Sequence, residues 1–158
     1  MGCGKSSTGR ELAELLGAGF TDLDELVVRR EGRSIPEIFR EGEAAFRKAE
    51  LEALRELLGR DSDGPEVIAL GGGTLTSEAA RSLVFGRTDC VWLRTRFETV
   101  RARLGESDPS RPLFRDAGEL FARREPVYAG APFVVDTDGI PPREVARRIA
   151  RLLGLAEV

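Results

Sequence analysis

With 158 residues, 41% of them hydrophobic, the chain is the size of one domain and has enough apolar content for one buried core. A net charge of −3, with acidic and basic residues mixed along the whole length, excludes a nucleic-acid footprint and a basic membrane-directed tail, so neither partner is expected. No histidine is present, which excludes Ser-His catalysis and zinc-hydrolase chemistry and leaves carboxylates, hydroxyls and water as bases and metal ligands.

Cys3 and Cys90 stand alone, without metal-ligand spacing. No apolar run approaches the roughly 20 residues that span a bilayer, and the start of the chain has no hydrophobic leader, so the cytoplasm is the expected compartment.

Met1-Gly2-Cys3-Gly4-Lys5-Ser6 reads as the second half of a phosphate-binding P-loop. In that motif glycines let backbone N–H groups curl around phosphates, the lysine reaches the outer phosphates and the hydroxyl ligates Mg²⁺. Gly2, Gly4, Lys5 and Ser6 suit those roles, and Lys5 and Lys48 are the only lysines among 24 basic residues. The plainer reading is a flexible glycine-rich start.

Leu12, Leu15 and Leu16 have helical spacing, and Gly17 and Gly19 end that helix. Gly19-Phe20-Thr21 then reads as a short strand leading into Asp22 and Asp24. Alternation along a strand places both carboxylates on one face, where one holds a water of Mg²⁺ and the other accepts a hydroxyl proton. An exposed acidic turn capping the next helix is the bland alternative.

Ser34-Ile35-Pro36-Glu37 reads as a capping box opening a short helix through Phe39. Phe46, Ala49, Ala53, Leu54, Leu57 and Leu58 trace a longer amphipathic helix with Gly59 at its C-terminal cap. Arg47 and Glu50 lie three apart on it, and the plain expectation is a solvent ion pair of little consequence.

Val67-Ile68-Ala69-Leu70 is a buried parallel-strand signature meeting Gly71-Gly72-Gly73, either a simple turn or a place where a substrate approaches the backbone closely. Ser77 caps the next helix, and Cys90-Val91-Trp92-Leu93 repeats the strand signature. Thr95 with Glu98 gives a second capping box, for a helix through Leu104.

Residues 105–115 are polar and aperiodic, as expected of a lid loop, and carry Arg111-Pro112-Leu113, otherwise a charged surface turn. A helix with Arg123 and Arg124, a strand Phe133-Val134-Val135 and a helix from about Pro142 to Leu153, closed by Gly154, complete the chain.

Strand and helix alternate throughout, which predicts an α/β fold: a three-layer α/β/α sandwich with a parallel sheet and right-handed crossovers. In such an architecture the strand feeding the P-loop lies in the middle of the sheet. The sequence does not contain it, so the expectation is either a start upstream of Met1 or a compromised core.

Taken together these motifs resemble shikimate kinases, within the P-loop small-molecule kinases of nucleoside-monophosphate-kinase-like fold. The resemblance rests on Gly2-Cys3-Gly4-Lys5-Ser6, Asp22-Leu23-Asp24, Ser34-Ile35 with Ile38-Phe39, Gly42-Glu43 with Phe46-Arg47 and Glu50, Gly71-Gly72-Gly73, Arg111-Pro112-Leu113, Arg124 with Pro126 and Tyr128, and Asp136-Thr137. It covers essentially the whole chain.

It implies phosphorylation of the 3-hydroxyl of shikimate by ATP with Mg²⁺, in the route to aromatic amino acids, by a monomer. Lys5, Asp24 and Arg111 would be catalytic, Asp24 orienting or deprotonating the attacking hydroxyl. Gly2, Cys3, Gly4, Lys5, Ser6, Ser7, Arg103 and Arg111 would bind ATP, with the segment from Gly139 to Pro142 bordering adenine. Arg47 and Arg124 would clamp the shikimate carboxylate beside Asp24 and Gly71, Gly72 and Gly73, since a planar guanidinium suits a carboxylate. Ser6, and Asp22 through water, would hold Mg²⁺.

Leu23 stands where the family usually has Thr, and the segment between Phe39 and Phe46 is one residue short of some members. The competing readings are another small-molecule P-loop kinase, such as a gluconate kinase, and a kinase-derived binding module without turnover.

Overall fold

The computed structural model describes residues 3–61, 64–104 and 117–155. The expected lid at 105–115 lies outside the described residues, as do Gly2 and Arg111.

Helix α1 (Lys5–Leu16) starts after Gly4 at φ 82° and stops at Gly17 at φ 60°, a left-handed conformation that glycine adopts without a Cβ clash. Strand β1 (Gly19–Asp22) follows, and α2 (Leu23–Glu31) begins one residue later. The chain thus leaves the strand at Asp22, so Asp24 sits in the first turn of a helix and not on the strand face that alternation predicts. Asp22 is the cap: its Oδ1 accepts from the Asp24 amide at 3.0 Å and the Glu25 amide at 3.4 Å.

Helix α3 (Ile35–Phe39) opens as expected, with the Glu37 carboxylate accepting from the Ser34 amide at 2.7 Å and the Ser34 hydroxyl at 2.6 Å. Helix α4 (Glu43–Gly59) retains Gly59 as its last helical residue and not as a cap beyond it. Strand β2 (Glu66–Ala69), a 3₁₀ turn (Thr74–Thr76) and α5 (Glu78–Arg87) come next, α5 being capped by Ser77 as expected.

Strand β3 (Val91–Arg94) leads to α6 (Phe97–Leu104), and α7 (Ala117–Tyr128), β4 (Phe133–Asp136) and α8 (Pro142–Leu152) end the fold. Thr95, expected to cap α6, is buried and shares a 2.6 Å hydrogen bond with the Thr137 hydroxyl, tying together the ends of β3 and β4. At the α6 entry the Arg96 amide instead donates to Asp138 at 3.1 Å.

The strands are parallel, as the alternation predicts. They form two separate pairs, β1 with β2 and β3 with β4, in registers running from Gly19 opposite Glu66 and from Val91 opposite Phe133. The core is divided in the same way: Leu23, Val27, Leu54 and Val84 belong to one cluster, and Leu12, Val135, Val145 and Ile149 to another. Helices α1 and α8 pack together on the second cluster, while α2, α3, α4 and α5 enclose the first.

Burial pushes the Cys90 thiol up to about 11, which keeps it protonated and inert. No helix among the described residues is long and apolar enough to cross a membrane.

Candidate active site

Strand ends of a parallel sheet bring helix N-termini and loops to one edge, and that edge is where α/β proteins place ligands. Here it gathers the loop into α1, the β1–α2 junction, the glycines after β2 and side chains from α4 and α7.

Gly4 donates no side chain to the loop into α1; its carbonyl accepts the Thr8 amide at 2.8 Å, so the turn closes tightly on the helix N-terminus. N–H groups at such a terminus have no intrahelical partner and bind anions. The Lys5 ammonium lies 4.0 Å from Cys3 Sγ. Ser6 donates from its hydroxyl to Asp22 Oδ2 at 2.7 Å, which links the loop to the end of β1. A second cavity, of about 580 Å³, opens beside this loop between Gly4 and Ser7 on one side and Gly139, Ile140 and Pro141 on the other.

Asp24 is half-buried beneath this loop. Burial, then the neighbouring carboxylates of Asp22 and Glu50, raise its pKa above the ordinary 3.8, with Lys5 and Arg47 pulling the other way. The carboxyl is therefore a better proton acceptor than an exposed aspartate.

Arg47 and Glu50 are not the solvent pair that their spacing suggests. Glu50 is 1% exposed, and its carboxylate accepts from Arg47 Nη1 at 2.8 Å and from the Thr74 hydroxyl. The Arg47 side chain, 18% exposed, also reaches Glu43 at 3.1 Å. A charge this deeply buried is tolerated only when it is paired and hydrogen-bonded, and this constellation satisfies both conditions.

The triple glycine lies over these groups. A methyl placed on Gly71 would stand 2.8 Å from Glu50 Oε1 and 3.0 Å from Asp24 Oδ1; on Gly73 it would stand 2.0 Å from Arg47 Nη2. The Gly72 carbonyl accepts the Tyr128 hydroxyl, so α7 holds the loop in place. Burial raises the pKa of Tyr128 and keeps that hydroxyl a donor.

One turn earlier on α7, Arg124 has its Nε buried without a hydrogen-bond partner, among the described residues. Its neighbour Arg123 is 78% exposed and pairs with Glu119 at 3.7 Å. An orphaned buried guanidinium donor is costly unless an anion completes it.

Of the residues expected from the sequence, the structure brings together Cys3, Gly4, Lys5, Ser6, Asp22 and Asp24 at the loop, and Arg47, Gly71, Gly72 and Gly73 beside them, with Arg124 on the flanking helix α7. Ser7 faces the second cavity. Arg103 lies in α6, its side chain outside the described residues, as are Gly2 and Arg111 entirely. Sequence reasoning missed Glu50, Thr74 and Tyr128 as site groups. The signal for Glu50 was available, since it interrupts the apolar stripe of Phe46, Ala49, Ala53 and Leu54.

Among the described residues no group of three or more His, Cys, Asp or Glu is gathered for a metal. Mg²⁺ does not require one, because it retains waters and takes only one or two protein oxygens beside substrate phosphates. The hard oxygens of Ser6 and Asp22, 2.7 Å apart at the phosphate loop, fit that ion.

A phosphate-binding loop opening α1, an acidic group poised beneath it and an adjoining arginine pocket, on an α/β scaffold with parallel strands, define a P-loop small-molecule kinase. The sequence pattern of the shikimate kinase family matches residues 1–154. Shikimate kinase from Halorhodospira halophila is 44% identical over 97% of this chain and 89% of its own length, and that from Thermus thermophilus 42% over 97% and 85%. Among solved structures, shikimate kinase from Acinetobacter baumannii in complex with shikimate superposes with a TM-score of 0.88 at 35% identity, covering 100% of this chain and 90% of the other. The Aquifex aeolicus shikimate kinase does so with 0.84 at 36% identity, covering 98% and 92%. The chain belongs to the shikimate kinase family.

Proposed function

We propose that this chain is a single-domain, cytoplasmic, monomeric kinase. It transfers the γ-phosphoryl group of ATP to the 3-hydroxyl of shikimate, giving ADP and shikimate 3-phosphate in aromatic amino acid biosynthesis. The observation that carries this reading is the half-buried Asp24, with its raised pKa, between the phosphate-loop lysine and the Arg47–Glu50 pocket. Family membership supplies the substrate, and the site geometry supports the roles of the individual residues.

Shikimate carries one carboxylate and a ring of hydroxyls. Arg47 and Arg124 receive the carboxylate, the latter through the buried Nε that has no hydrogen-bond partner among the described residues. The Gly71–Gly73 backbone approaches the ring, since no Cβ keeps it away from Asp24 and Arg47. Asp24 accepts the proton of the 3-hydroxyl as its oxygen forms a bond to the γ-phosphorus, and the bond from that phosphorus to the β,γ-bridging oxygen breaks to release ADP.

Backbone N–H groups of the loop Gly2–Ser7, with Lys5, hold the phosphates, and Lys5 stabilises the charge that spreads over the transferring group. Arg111 joins it from the lid, and Arg103 assists nucleotide binding; both assignments rest on the family resemblance alone. The cavity beside Gly139 and Pro141 has room for the adenine. Ser6, and Asp22 through water, would hold Mg²⁺, which would neutralise charge at the phosphates.

The test is ADP release with ATP and Mg²⁺, comparing shikimate with gluconate as acceptor. Shikimate-dependent release and none with gluconate is the expected result. Release with gluconate alone would assign the chain to another small-molecule kinase, and folded protein that binds shikimate without release would make it a binding module.

A further inference from the structure

The guanidinium of Arg47 carries protein carboxylates on two of its edges. Its Nη1 donates to Glu50 at 2.8 Å, whereas Nε and Nη2 both donate to a single oxygen of Glu43, at 3.3 and 3.1 Å. The Phe46 ring lies against one face, with its centroid 5.2 Å from Cζ, and the Gly73 backbone crowds Nη2. Nε and Nη2 form the edge of the planar group that takes a carboxylate through two parallel hydrogen bonds. Glu43 therefore occupies an edge that a substrate carboxylate can use.

The two carboxylates differ in how they can leave. Glu50 is buried and also accepts the Thr74 hydroxyl, so its departure would strand an unpaired charge in the interior. The Glu43 side chain is 68% exposed and can swing into water. It belongs to the first residue of α4, where the helix N-terminus favours a negative charge with or without Arg47. Its contact is an i,i+4 pair, a kind that holds weakly when one partner is exposed. Glu43 also serves both donors with one oxygen, whereas a bound carboxylate offers one oxygen to each. Exchange thus happens at Glu43 and leaves Glu50 in place.

We infer that Glu43 is a stand-in for the carboxylate of the acceptor: it holds Arg47 by the edge that the substrate takes, yields that edge on binding and reclaims it as the product leaves. The inference rests on the carboxylate clamp proposed above. It makes Glu43 a competitor that weakens binding, the opposite of a residue that supports the clamp. Phosphoryl transfer leaves the carboxylate unchanged, so Glu43 weakens substrate and product to the same degree and leaves the barrier between them as it was.

The test is titration calorimetry of the full chain with shikimate and with shikimate 3-phosphate. Glu43→Gln should tighten both by the same factor, roughly two- to fivefold, the range that an exposed ion pair sets. Glu43→Asp keeps the charge but draws the carboxylate back by one methylene, so it should tighten both as Glu43→Gln does. Glu41→Gln removes an equal charge two residues away, from a carboxylate paired with Arg33, and should change either affinity by less than about 1.5-fold. The primary amide of shikimate has no anionic pair of oxygens to exchange for Glu43, so it should bind the parent and Glu43→Gln alike. In Arg47→Lys, which keeps a cation beside Glu50 without the fork, Glu43→Gln should have no further effect.

Weaker or unchanged shikimate binding by Glu43→Gln would overturn the inference. So would parent-like binding by Glu43→Asp or equal tightening by Glu41→Gln, either of which would reduce the effect to net charge. Unchanged shikimate affinity in folded Arg47→Lys would overturn the carboxylate clamp itself, and the inference with it. Should Arg47→Lys fail to fold, the direction of change in the two Glu43 variants still decides.

Discussion

Replacing Gly73 with alanine tests the arginine pocket without touching a charged residue. The new methyl would stand 2.0 Å from Arg47 Nη2 and 2.6 Å from its Cζ, far inside contact distance. The backbone at Gly73, with φ −110° and ψ 0°, accepts an L-residue, so the chain itself is not strained. The group that must yield is the far end of a long side chain, but its displacement leaves the buried Glu50 carboxylate without its Arg47 partner. Breaking a buried pair costs about 3–5 kcal/mol, so stability should fall by up to that amount, offset in small part by the smaller unfolded-state entropy of alanine.

Binding should suffer as well. A hydrogen bond to a charged group contributes about 1.5–3 kcal/mol. At about 1.4 kcal/mol per factor of ten, displacing the guanidinium from the carboxylate raises the shikimate KM roughly 10- to 150-fold. Steady-state rates with each substrate varied at saturating levels of the other, together with a melting curve, read both effects. A shikimate KM within twofold of the parent in a folded variant would refute the pocket, and so would an equal rise in the ATP KM.

Asp24→Asn should lower kcat by orders of magnitude while nucleotide affinity is kept, and near-normal turnover would remove Asp24 from its role. Because burial raises its folded pKa above the ordinary 3.8, the folded state binds more protons than the unfolded one as pH rises between those values, and ionising Asp24 costs stability across that window. Asp24→Asn should thus melt higher than the parent at neutral pH, and the acid limb of the parent's kcat/KM profile should lie above the usual carboxylate range; an unchanged Tm or a limb near pH 4 counts against the assignment. Arg124→Ala should raise the shikimate KM at least about tenfold, while Arg123→Ala, exposed and paired with Glu119, should change stability by less than about 0.5 kcal/mol and kinetics not at all; matching kinetics for the two variants would contradict the geometry. Tyr128→Phe leaves the Gly72 carbonyl without its donor and should lower Tm by a few degrees with a rise in shikimate KM, and a change in Tm alone would make Tyr128 purely structural.

What the sequence discloses depends on how local the cause is. The caps at Ser34 and Ser77, the glycine stop of α1 at Gly17 and the apolar strands are set by neighbours within a few residues, and all are found where the spacing places them. Thr95 shows the limit: its hydroxyl is claimed by Thr137, 42 residues away, and no local pattern signals that pairing. Asp24 illustrates the same limit at short range. Alternation assumes that the strand continues, whereas Asp22 caps a helix and turns the chain, so the two carboxylates meet through a cap and not through a pleat.

Glu50 carries the most weight in that comparison. A pair three residues apart on a helix is usually exposed and contributes little, and the local sign to the contrary is that Glu50 falls within the apolar stripe of Phe46, Ala49, Ala53 and Leu54. Depth comes from Thr74 and the glycines that follow β2 and close over the helix, which turn a weak surface pair into a buried, bonded one. Glu50 accordingly does two things at once: it fixes the direction of the Arg47 guanidinium and it adds to the raised pKa of Asp24. Substrate positioning and base strength in this site are thus coupled through one buried carboxylate. A Glu50→Gln substitution should weaken both, whereas Arg47→Ala, which removes a charge that lowers the Asp24 pKa, should weaken shikimate binding while moving the acid limb upward.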